Sequence, residues 1–168
     1  MRPPAPAATI RLLVLDVDGV LTDGRLYFGA RGETLKVFHV RDGYGIRAVK
    51  AAGISVAVIT GRRSRALAAR CRELDIAHVM QGQDDKLAAL QRLCTRLRID
   101  PRACACVGDD VVDVPLFGVA GLSFAVADAH PAARRAAHRI TSLPGGAGAV
   151  REVCDRLIGA RARRGRGR

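Results

Sequence analysis

The feature that most constrains the fold of this chain is a set of short, mostly apolar runs that each end at a polar residue. Residues 10–15 end at Asp16, residues 54–59 end at Thr60, and residues 103–107 lead through a glycine to Asp109. Such runs are typical of strands that are buried on both faces of a parallel sheet. Because the carboxyl ends of parallel strands meet at one edge, the three polar residues are expected to converge there. The sequence therefore predicts a ligand site at that edge.

Segments with helical features separate the apolar runs. Helices are predicted from Asp42 to about Gly53, after a cap at Ser64, and over residues 85–98, where leucines recur at helical spacing. Further strands are expected near residues 78–80, 122–126 and 138–141, and a last helix after residues 145–146. This alternation predicts a three-layer α/β/α sandwich around a central, mostly parallel, Rossmann-like sheet. Residues 25–29 and 34–39 alternate in polarity around residues 30–33, which predicts a small β-hairpin inserted after the first strand.

The length of 168 residues fits one domain, expected over residues 10–160 with the hairpin at about 25–39. Residues 1–9 are rich in proline and alanine and are expected to form a disordered N-terminal tail. Residues 161–168 contain five arginines and are expected to form a disordered basic tail. The chain shows neither a membrane-spanning apolar segment nor the apolar core of a signal peptide.

The charge and the cysteines narrow the class of function. The net charge of +12 raises a non-catalytic polyanion-binding protein as an alternative. However, much of the positive charge is in the C-terminal tail or scattered along helices. This distribution argues against nucleic acid as a partner. The five cysteines form no C-x-x-C pair, so buried free thiols are favoured over disulfides or a structural zinc site. Free thiols indicate a reducing compartment, and we expect a cytoplasmic protein.

The polar residues after the strands form an ordered set with a common chemistry. Phosphate monoesters are dianions, and carboxylates crowded on one rim repel one another unless a divalent cation lies between them. Carboxylate oxygens suit Mg²⁺. A lysine would add a second positive charge, and a threonine hydroxyl would donate to phosphoryl oxygens. The set comprises Asp16, Asp18, Thr60, Lys86, Asp109, Asp110 and Asp113.

This ordered set resembles the four motifs of the haloacid-dehalogenase-like phosphohydrolases. The resemblance implies that Asp16 attacks phosphorus to form an aspartyl-phosphate, with Thr60 and Lys86 in the catalytic set. It implies that Asp18 protonates the leaving alcohol and later takes a proton from the hydrolytic water. Mg²⁺ would be held by Asp16, the backbone carbonyl of Asp18, and Asp109. Either of two further carboxylates would orient metal-bound water or the lysine, namely Asp110 or Asp113.

A closer resemblance lies in residues 16–24, 38–46, 107–110, 125–131 and 145–152. These segments are similar to the family of 3-deoxy-D-manno-octulosonate 8-phosphate phosphatases, which are haloacid-dehalogenase-like enzymes of the capless type. The resemblance covers residues 10–158. It implies hydrolysis of that sugar phosphate, a step toward lipopolysaccharide in Gram-negative bacteria. Phosphatases of related nine-carbon keto-sugar acids share the pattern and remain the alternative.

The same resemblance implies which residues surround the substrate. Arginine suits both the phosphate and the carboxylate of such a sugar acid, because it binds each with two hydrogen bonds. Arg62 directly follows the strand end at Thr60, which places it near the rim. For Arg70, the alternative is that it is only a surface charge. For residues 41–43, the alternative is that they form only a helix-capping turn. The implied substrate-binding set is Asp18, His39, Val40, Arg41, Asp42, Gly43, Arg47, Arg62, Arg70 and Lys86.

No insertion in the chain is large enough to be a cap domain, so a monomer would leave its catalytic rim open to water. The resemblance implies a homotetramer in which the hairpins associate and each subunit partly caps its neighbour, and in which the C-terminal tail can reach a neighbour's active site. The hairpin carries more apolar residues than a lone exposed hairpin should. The alternative is a hairpin folded back on its own core. The apolar residues of the hairpin are Leu26, Phe28, Leu35, Val37 and Phe38.

Overall fold

The computed structural model describes residues 3–166. Its strands are β1 (Leu12–Leu15), β2 (Tyr27–Gly29), β3 (Gly32–Leu35), β4 (Ser55–Thr60), β5 (His78–Gln81), β6 (Cys104–Gly108), β7 (Leu122–Ala125) and β8 (Arg139–Ile140). Six of them form one sheet in the order β5-β4-β1-β6-β7-β8, and every neighbouring pair is parallel. The predicted parallel α/β sheet is confirmed.

The helices are α1 (Val40–Ala51), α2 (Arg65–Glu73), α3 (Lys86–Leu97), α4 (Val114–Val119), α5 (Pro131–Ala136) and α6 (Ala149–Arg166). The connections that carry α1 and α2 step toward the β5 edge, and those that carry α4 and α5 step toward the β8 edge. Right-handed crossovers in opposite directions place helices on opposite faces. In agreement, α1 packs along α6, whereas α3 and α5 both pack against α4.

The register of the central strands aligns their carboxyl ends. Leu15, the last residue of β1, lies between Val58 of β4 and Val107 of β6. All four residues of β1 are buried, as expected of a strand with neighbours on both edges and helices on both faces. The residues that follow each strand therefore emerge side by side at one edge of the sheet.

The hairpin stands apart from this sheet, with β2 and β3 antiparallel to each other. Its strands are shorter than the predicted 25–29 and 34–39, and residues 30 and 31 connect them. Gly32 follows this connection with a φ of 99°. That value lies in the region where a Cβ is unfavourable, so glycine suits the turn.

The two tails are more ordered than the sequence predicts. In the N-terminal segment, the amide of Ala5 donates to the carbonyl of Gly121 at 2.6 Å, and a short 3₁₀ helix at Ala7–Thr9 packs against α6. At the other end, α6 continues through Arg166, so the prediction of disorder is wrong for residues 161–166. Alanine and arginine are good helix formers, and the guanidinium of Arg161 donates to the carbonyl of Ala52. Residues 1, 2, 167 and 168 lie outside the described residues.

All five cysteines are buried and carry free thiols. Burial raises the pKa of Cys71 to about 11, so this thiol stays protonated near neutral pH. Within the described residues, no helix combines the length and the apolar character that a membrane span needs.

Candidate active site

Four elements of the fold deliver polar side chains to one cleft. Asp16 follows β1, Thr60 ends β4, Asp109 follows β6, and Lys86 is the first residue of α3, which Asp85 caps at its N-terminus. The cleft has a volume of about 340 Å³. It is lined by Asp16, Asp18, Thr60, Gly61, Arg62, Gln83, Asp84, Lys86, Asp109, Asp110 and Val112.

A buried lysine lies between two buried carboxylates in the floor of this cleft. The Nζ atom of Lys86 is 2.9 Å from Oδ1 of Asp16 and 2.7 Å from Oδ1 of Asp113. Burial alone would lower the pKa of Lys86, but the two carboxylates outweigh it and hold that pKa above its usual range. The lysine therefore carries a fixed positive charge beside Asp16.

Asp113 also shapes the turn after β6. Its Oδ2 atom accepts hydrogen bonds from the amides of Asp109 at 3.0 Å and Asp110 at 3.3 Å. Gly108 is required here because a Cβ at that position would overlap the Asp113 side chain. Both carboxylate oxygens of Asp113 thus have partners within the protein, which favours an orienting role for this residue. Asp110 is exposed and caps the following 3₁₀ turn through the amide of Val111.

Three carboxylates of this site lie close enough together to suit a divalent cation. Asp16, Asp109 and Asp113 each present an oxygen atom, and these atoms lie within 4.8 Å of one another. Burial and the nearby Asp113 raise the pKa of Asp16 to about 6. Burial and the nearby Asp16 raise the pKa of Asp109 to about 8. A cation between them would relieve this repulsion, and the all-oxygen donor set matches the preference of Mg²⁺.

Gly19 lets the loop after β1 approach this cluster. Its φ of 86° is unfavourable for side-chain-bearing residues, and a Cβ there would overlap Oδ2 of Asp109. The glycine of the D-x-D-G motif is therefore needed for both its backbone shape and its lack of a side chain.

Asp18 belongs to a second cluster, in which two members come from the hairpin. Its Oδ1 atom accepts from the ammonium of Lys36, and its Oδ2 atom is 3.5 Å from Nε of Arg62. The Oε2 atom of Glu33 is 3.2 Å from Nζ of Lys36 and 3.4 Å from a terminal nitrogen of Arg62. The hydroxyl of Ser64 donates to the other oxygen of Glu33.

The sequence patterns did not indicate Glu33 or Lys36. One sequence feature could have indicated Lys36, which lies between two apolar residues. In the structure, the lysine faces inward and its apolar neighbours face outward, the reverse of the usual arrangement. Leu35 and Val37 are each 52% exposed, whereas Lys36 is only 7% exposed. An apolar–charged–apolar pattern on a hairpin can therefore mark a charge that faces inward.

Residues 39–43 make hydrogen bonds that begin helix α1 and hold it against α6. Nδ1 of His39 accepts from the amide of Arg41 at 3.2 Å, so His39 caps α1 and the helix begins before Asp42. The buried Oδ1 of Asp42 accepts from the amide of Arg151 at 2.8 Å, in the first turn of α6. Burial raises the pKa of Asp42. Asp42 thus joins α1 to α6.

Two arginines of the expected substrate-binding set bind the same glutamate. A terminal nitrogen of Arg47 donates to the carbonyl of Glu73 at 3.2 Å, and Arg70 is 2.7 Å from the carboxylate of Glu73. Of the ten residues in that set, Asp18, Arg62 and Lys86 line the cleft. The other seven do not line it within one chain, and their role stays a prediction: His39, Val40, Arg41, Asp42, Gly43, Arg47 and Arg70.

A larger groove of about 830 Å³ lies between α6 and the β7–β8 edge. Its two carboxylates are already paired, Asp155 with Arg151 at 2.8 Å and Glu152 with Arg156 at 2.9 Å. It therefore offers no carboxylate cluster for a cation. The reactive groups are in the smaller cleft.

Comparison with known proteins agrees with this geometry. Residues 72–150 match the family model of haloacid dehalogenase-like hydrolases. The chain is 53% identical over 152 residues to the 3-deoxy-D-manno-octulosonate 8-phosphate phosphatase of Yersinia pestis, covering 90% of this chain and 81% of that protein. It is also 53% identical over 154 residues to the phosphatase of the same name from Escherichia coli strain K12, covering 92% of this chain and 82% of that one.

Solved structures give the same result. The crystal structure of the Yersinia pestis phosphatase superposes with a TM-score of 0.91 at 52% identity, covering 94% of this chain and 85% of that one. The phosphatase from Moraxella catarrhalis, solved with a magnesium ion, a phosphate ion and a KDO molecule, gives a TM-score of 0.91 at 42% identity, covering 94% and 90%. This chain belongs to the 3-deoxy-D-manno-octulosonate 8-phosphate phosphatase family of the haloacid dehalogenase-like hydrolases.

Proposed function

We propose that this chain is a Mg²⁺-dependent phosphatase that hydrolyses 3-deoxy-D-manno-octulosonate 8-phosphate to the free sugar acid and phosphate. The observation that carries the proposal is the position of Asp16, which directly follows the central strand β1 and lies beside the charged Lys86 and within metal-bridging distance of Asp109. The family of the chain supports the choice of substrate. The product would enter lipopolysaccharide synthesis.

In the first step, a carboxylate oxygen of Asp16 attacks phosphorus. A bond forms between that oxygen and phosphorus, and the bond from phosphorus to the sugar oxygen breaks. Asp18 gives its proton to the departing sugar oxygen, which leaves as an alcohol. In the second step, Asp18 takes a proton from water as the water attacks the aspartyl-phosphate, which releases phosphate and restores Asp16.

The surrounding residues neutralise charge. A magnesium ion held by Asp16, Asp109 and the backbone carbonyl of Asp18 would offset the charge of the phosphoryl oxygens when bound. Lys86 supplies a fixed positive charge next to Asp16, and the hydroxyl of Thr60, which lines the cleft, would donate to a phosphoryl oxygen. Asp113 orients Lys86, and the exposed Asp110 would contact water on the metal.

We further propose that the active unit is a homo-oligomer, most simply a tetramer. The outer face of the hairpin is apolar: Phe28 is 60% exposed and Leu26 is 47% exposed. Val40 and Tyr44, in the first turns of α1, are 78% and 63% exposed. A neighbouring subunit would cover these residues and the open cleft.

The same assembly would explain why part of the expected substrate-binding set lies outside the cleft of its own chain. Arg41 is exposed on the first turn of α1 and forms no ion pair within the described residues. We propose that such residues face the cleft of a neighbouring subunit, where an arginine would bind the carboxylate of the sugar acid. The five free buried thiols support a reducing, cytoplasmic setting.

The test is phosphate release by the purified protein from a panel of phosphorylated keto-sugar acids, with and without Mg²⁺. We expect the highest kcat/KM for the octulosonate 8-phosphate, lower values for nine-carbon acid phosphates, and no turnover without a divalent cation. A nine-carbon acid as the best substrate would change the proposed substrate but keep the reaction. No hydrolysis of any ester in the presence of Mg²⁺ would refute the proposed enzyme.

A further inference from the structure

The hairpin is tied to the cleft by a closed ring of four charges. Going around the ring, Asp18 contacts Lys36, Lys36 contacts Glu33, Glu33 contacts Arg62, and Arg62 approaches Asp18 again. Asp18 belongs to the loop after β1 and Arg62 to the loop after β4, whereas Glu33 and Lys36 belong to the hairpin. The ring therefore joins three separate segments, and its signs alternate.

The hairpin members are held firmly by this arrangement. The side chain of Lys36 is only 2% exposed, and a buried ammonium is costly unless carboxylates surround it. Burial would raise the pKa of Glu33, but hydrogen bonds from Ser64, Lys36 and Arg62 hold it below its usual range. If the hairpin moved away, Lys36 and Glu33 would lose these partners together.

The contacts also distinguish the two oxygens of Asp18. An ammonium group can only donate hydrogen bonds, so Oδ1 of Asp18 acts as an acceptor toward Lys36. The Oδ2 atom has no hydrogen-bond partner within the described residues, although it is buried. This second oxygen faces the guanidinium of Arg62 at 3.5 Å. Lys36 and Arg62 therefore fix the orientation of the Asp18 carboxylate from two sides.

We propose that Lys36 and Glu33 are positioning residues of the reaction: Lys36 orients Asp18 for proton transfer to the leaving alcohol, and Glu33 holds both Lys36 and Arg62 in place. This inference rests on the proposed phosphatase activity. Neither residue need touch the reacting atoms, since each acts through Asp18 or Arg62. The hairpin is thus part of the proton-transfer machinery as well as a covering surface.

The inference makes a prediction that depends on the leaving group. The alkoxide of a sugar alcohol is a poor leaving group and needs a proton as it departs. The p-nitrophenolate ion is stable enough to leave without one. Misplacing Asp18 should therefore slow the hydrolysis of an alkyl phosphate far more than that of p-nitrophenyl phosphate.

The experiment compares kcat for the octulosonate 8-phosphate and for p-nitrophenyl phosphate in four variants of the full chain. We expect Lys36→Met to lose about 10²-fold on the sugar phosphate and less than about tenfold on the aryl ester, within the range of general acid catalysis. Lys36→Arg keeps the charge and should recover part of the loss. Glu33→Gln should also slow the sugar phosphate more than the aryl ester, but the loss in kcat should be smaller, because Lys36 still contacts Asp18.

Arg31→Met is the matched control, because Arg31 is on the same hairpin, is exposed and forms no ion pair within the described residues. It should leave both rates unchanged. Equal losses on the two esters for Lys36→Met and Glu33→Gln would overturn the positioning role and leave only a structural one, as would no loss at all. A wild-type protein inactive on both esters would instead refute the proposed function.

Discussion

The strand-end cluster and the hairpin both bury charged side chains, but they do so in opposite surroundings. Around Asp16, Lys86 and Asp113, the charges are enclosed by core elements of a single chain and satisfy one another. On the hairpin, the charged Lys36 faces inward while the flanking Leu35 and Val37 face outward. The first region is built within one chain, whereas the second leaves an apolar surface exposed, which the proposed neighbouring subunit would cover.

The difference separates two requirements of a capless phosphatase. Phosphoryl transfer depends on fixed charges, and rigid strand ends position these within one subunit. Exclusion of water and choice of substrate depend on a cover, and within the described residues the small hairpin is the one pair of strands that stands apart from the central sheet. Changes to the first region should therefore affect every substrate, whereas changes to the second should affect assembly and selectivity.

The largest expected effect is that of Asp16→Asn. Without a nucleophile, kcat for any phosphate ester should fall by about 10³-fold or more. The fold should be retained, because burial already raises the pKa of Asp16 and disfavours its charge. Steady-state phosphate release and thermal unfolding measure the two effects.

The matched control is Asp155→Asn, which removes an exposed carboxylate that is paired with Arg151 on α6. It should leave kcat unchanged. A residual rate for Asp16→Asn within about tenfold of the wild type would show that Asp16 is not the nucleophile.

The next effect concerns the metal and pH. Burial, followed by the neighbouring carboxylates, raises the pKa of Asp16 to about 6 and of Asp109 to about 8, well above the value near 4 of an unfolded chain. The charged forms are therefore disfavoured in the metal-free fold. Metal-free protein should lose stability as pH rises from about 4 to about 8, and bound Mg²⁺ should restore it.

Binding of Mg²⁺ should release protons, and its affinity should rise over the same pH range. Calorimetric titration in buffers with different ionisation enthalpies measures this proton release directly. Asp109→Asn should weaken binding, whereas Asp155→Asn should not. Full activity after exhaustive treatment with a chelator would contradict a metal-dependent mechanism.

A smaller effect on the reaction itself is expected from the hairpin. Phe28→Asp and Leu26→Asp place charges on the exposed apolar face, so the assembly should dissociate into smaller species. Activity toward p-nitrophenyl phosphate should largely persist, because the strand-end cluster is intact, while kcat/KM for the sugar acid phosphate should fall. Light scattering and the ratio of the two activities are the measurements.

Ile140→Asp is the control for these variants, since Ile140 is 42% exposed but lies on β8 at the edge of the central sheet. It should not change the size of the assembly. A wild-type protein that is a stable monomer with full selectivity would show that the hairpin covers the cleft without a partner.

The sequence predicted the strand-end cluster well, because its information is local. Apolar runs identify buried strands, and parallel strands bring the following residues together, so Asp16, Thr60 and Asp109 were placed at one edge. The helix capped by Ser64 was also correct, since its side chain accepts from the amide of Leu67. Local patterns were sufficient for these features.

The features that the sequence did not predict depend on distant contacts. Lys36 pairs with Asp18 and Glu33 with Arg62, through a folding back of the hairpin that no periodicity encodes. Asp42 has the pattern of a helix cap, yet its side chain accepts from the distant Arg151 while His39 caps α1. For such residues, residue type gives the chemistry but not the partner.

The smallest expected effect is that of removing residues 161–168. This truncation tests whether the end of α6 acts within its own chain, like the strand-end cluster, or toward a neighbouring subunit, like the outer face of the hairpin. The described part of this segment contacts its own chain: Arg161 donates to the carbonyl of Ala52, and Arg164 is 3.5 Å from that of Ala8. Truncation should lower the free energy of unfolding by about 1.5–3 kcal/mol, the usual contribution of a hydrogen bond to a charged group. Arg161→Ala should reproduce most of this loss, and Arg163→Ala should not.

The values of kcat and KM after truncation distinguish these two roles of the segment. If the segment only supports α1 and the N-terminal turn, kcat and KM for the sugar acid phosphate should stay unchanged after truncation. If it reaches the cleft of a neighbouring subunit, the basic residues would contact the anionic substrate, and KM would rise at both low and moderate ionic strength. A rise only at low ionic strength would reflect long-range attraction, since salt at about 0.1 M screens exposed charges that are more than about 10 Å apart. Because the arginines of this segment that have partners bind backbone carbonyls of their own chain, we expect unchanged constants.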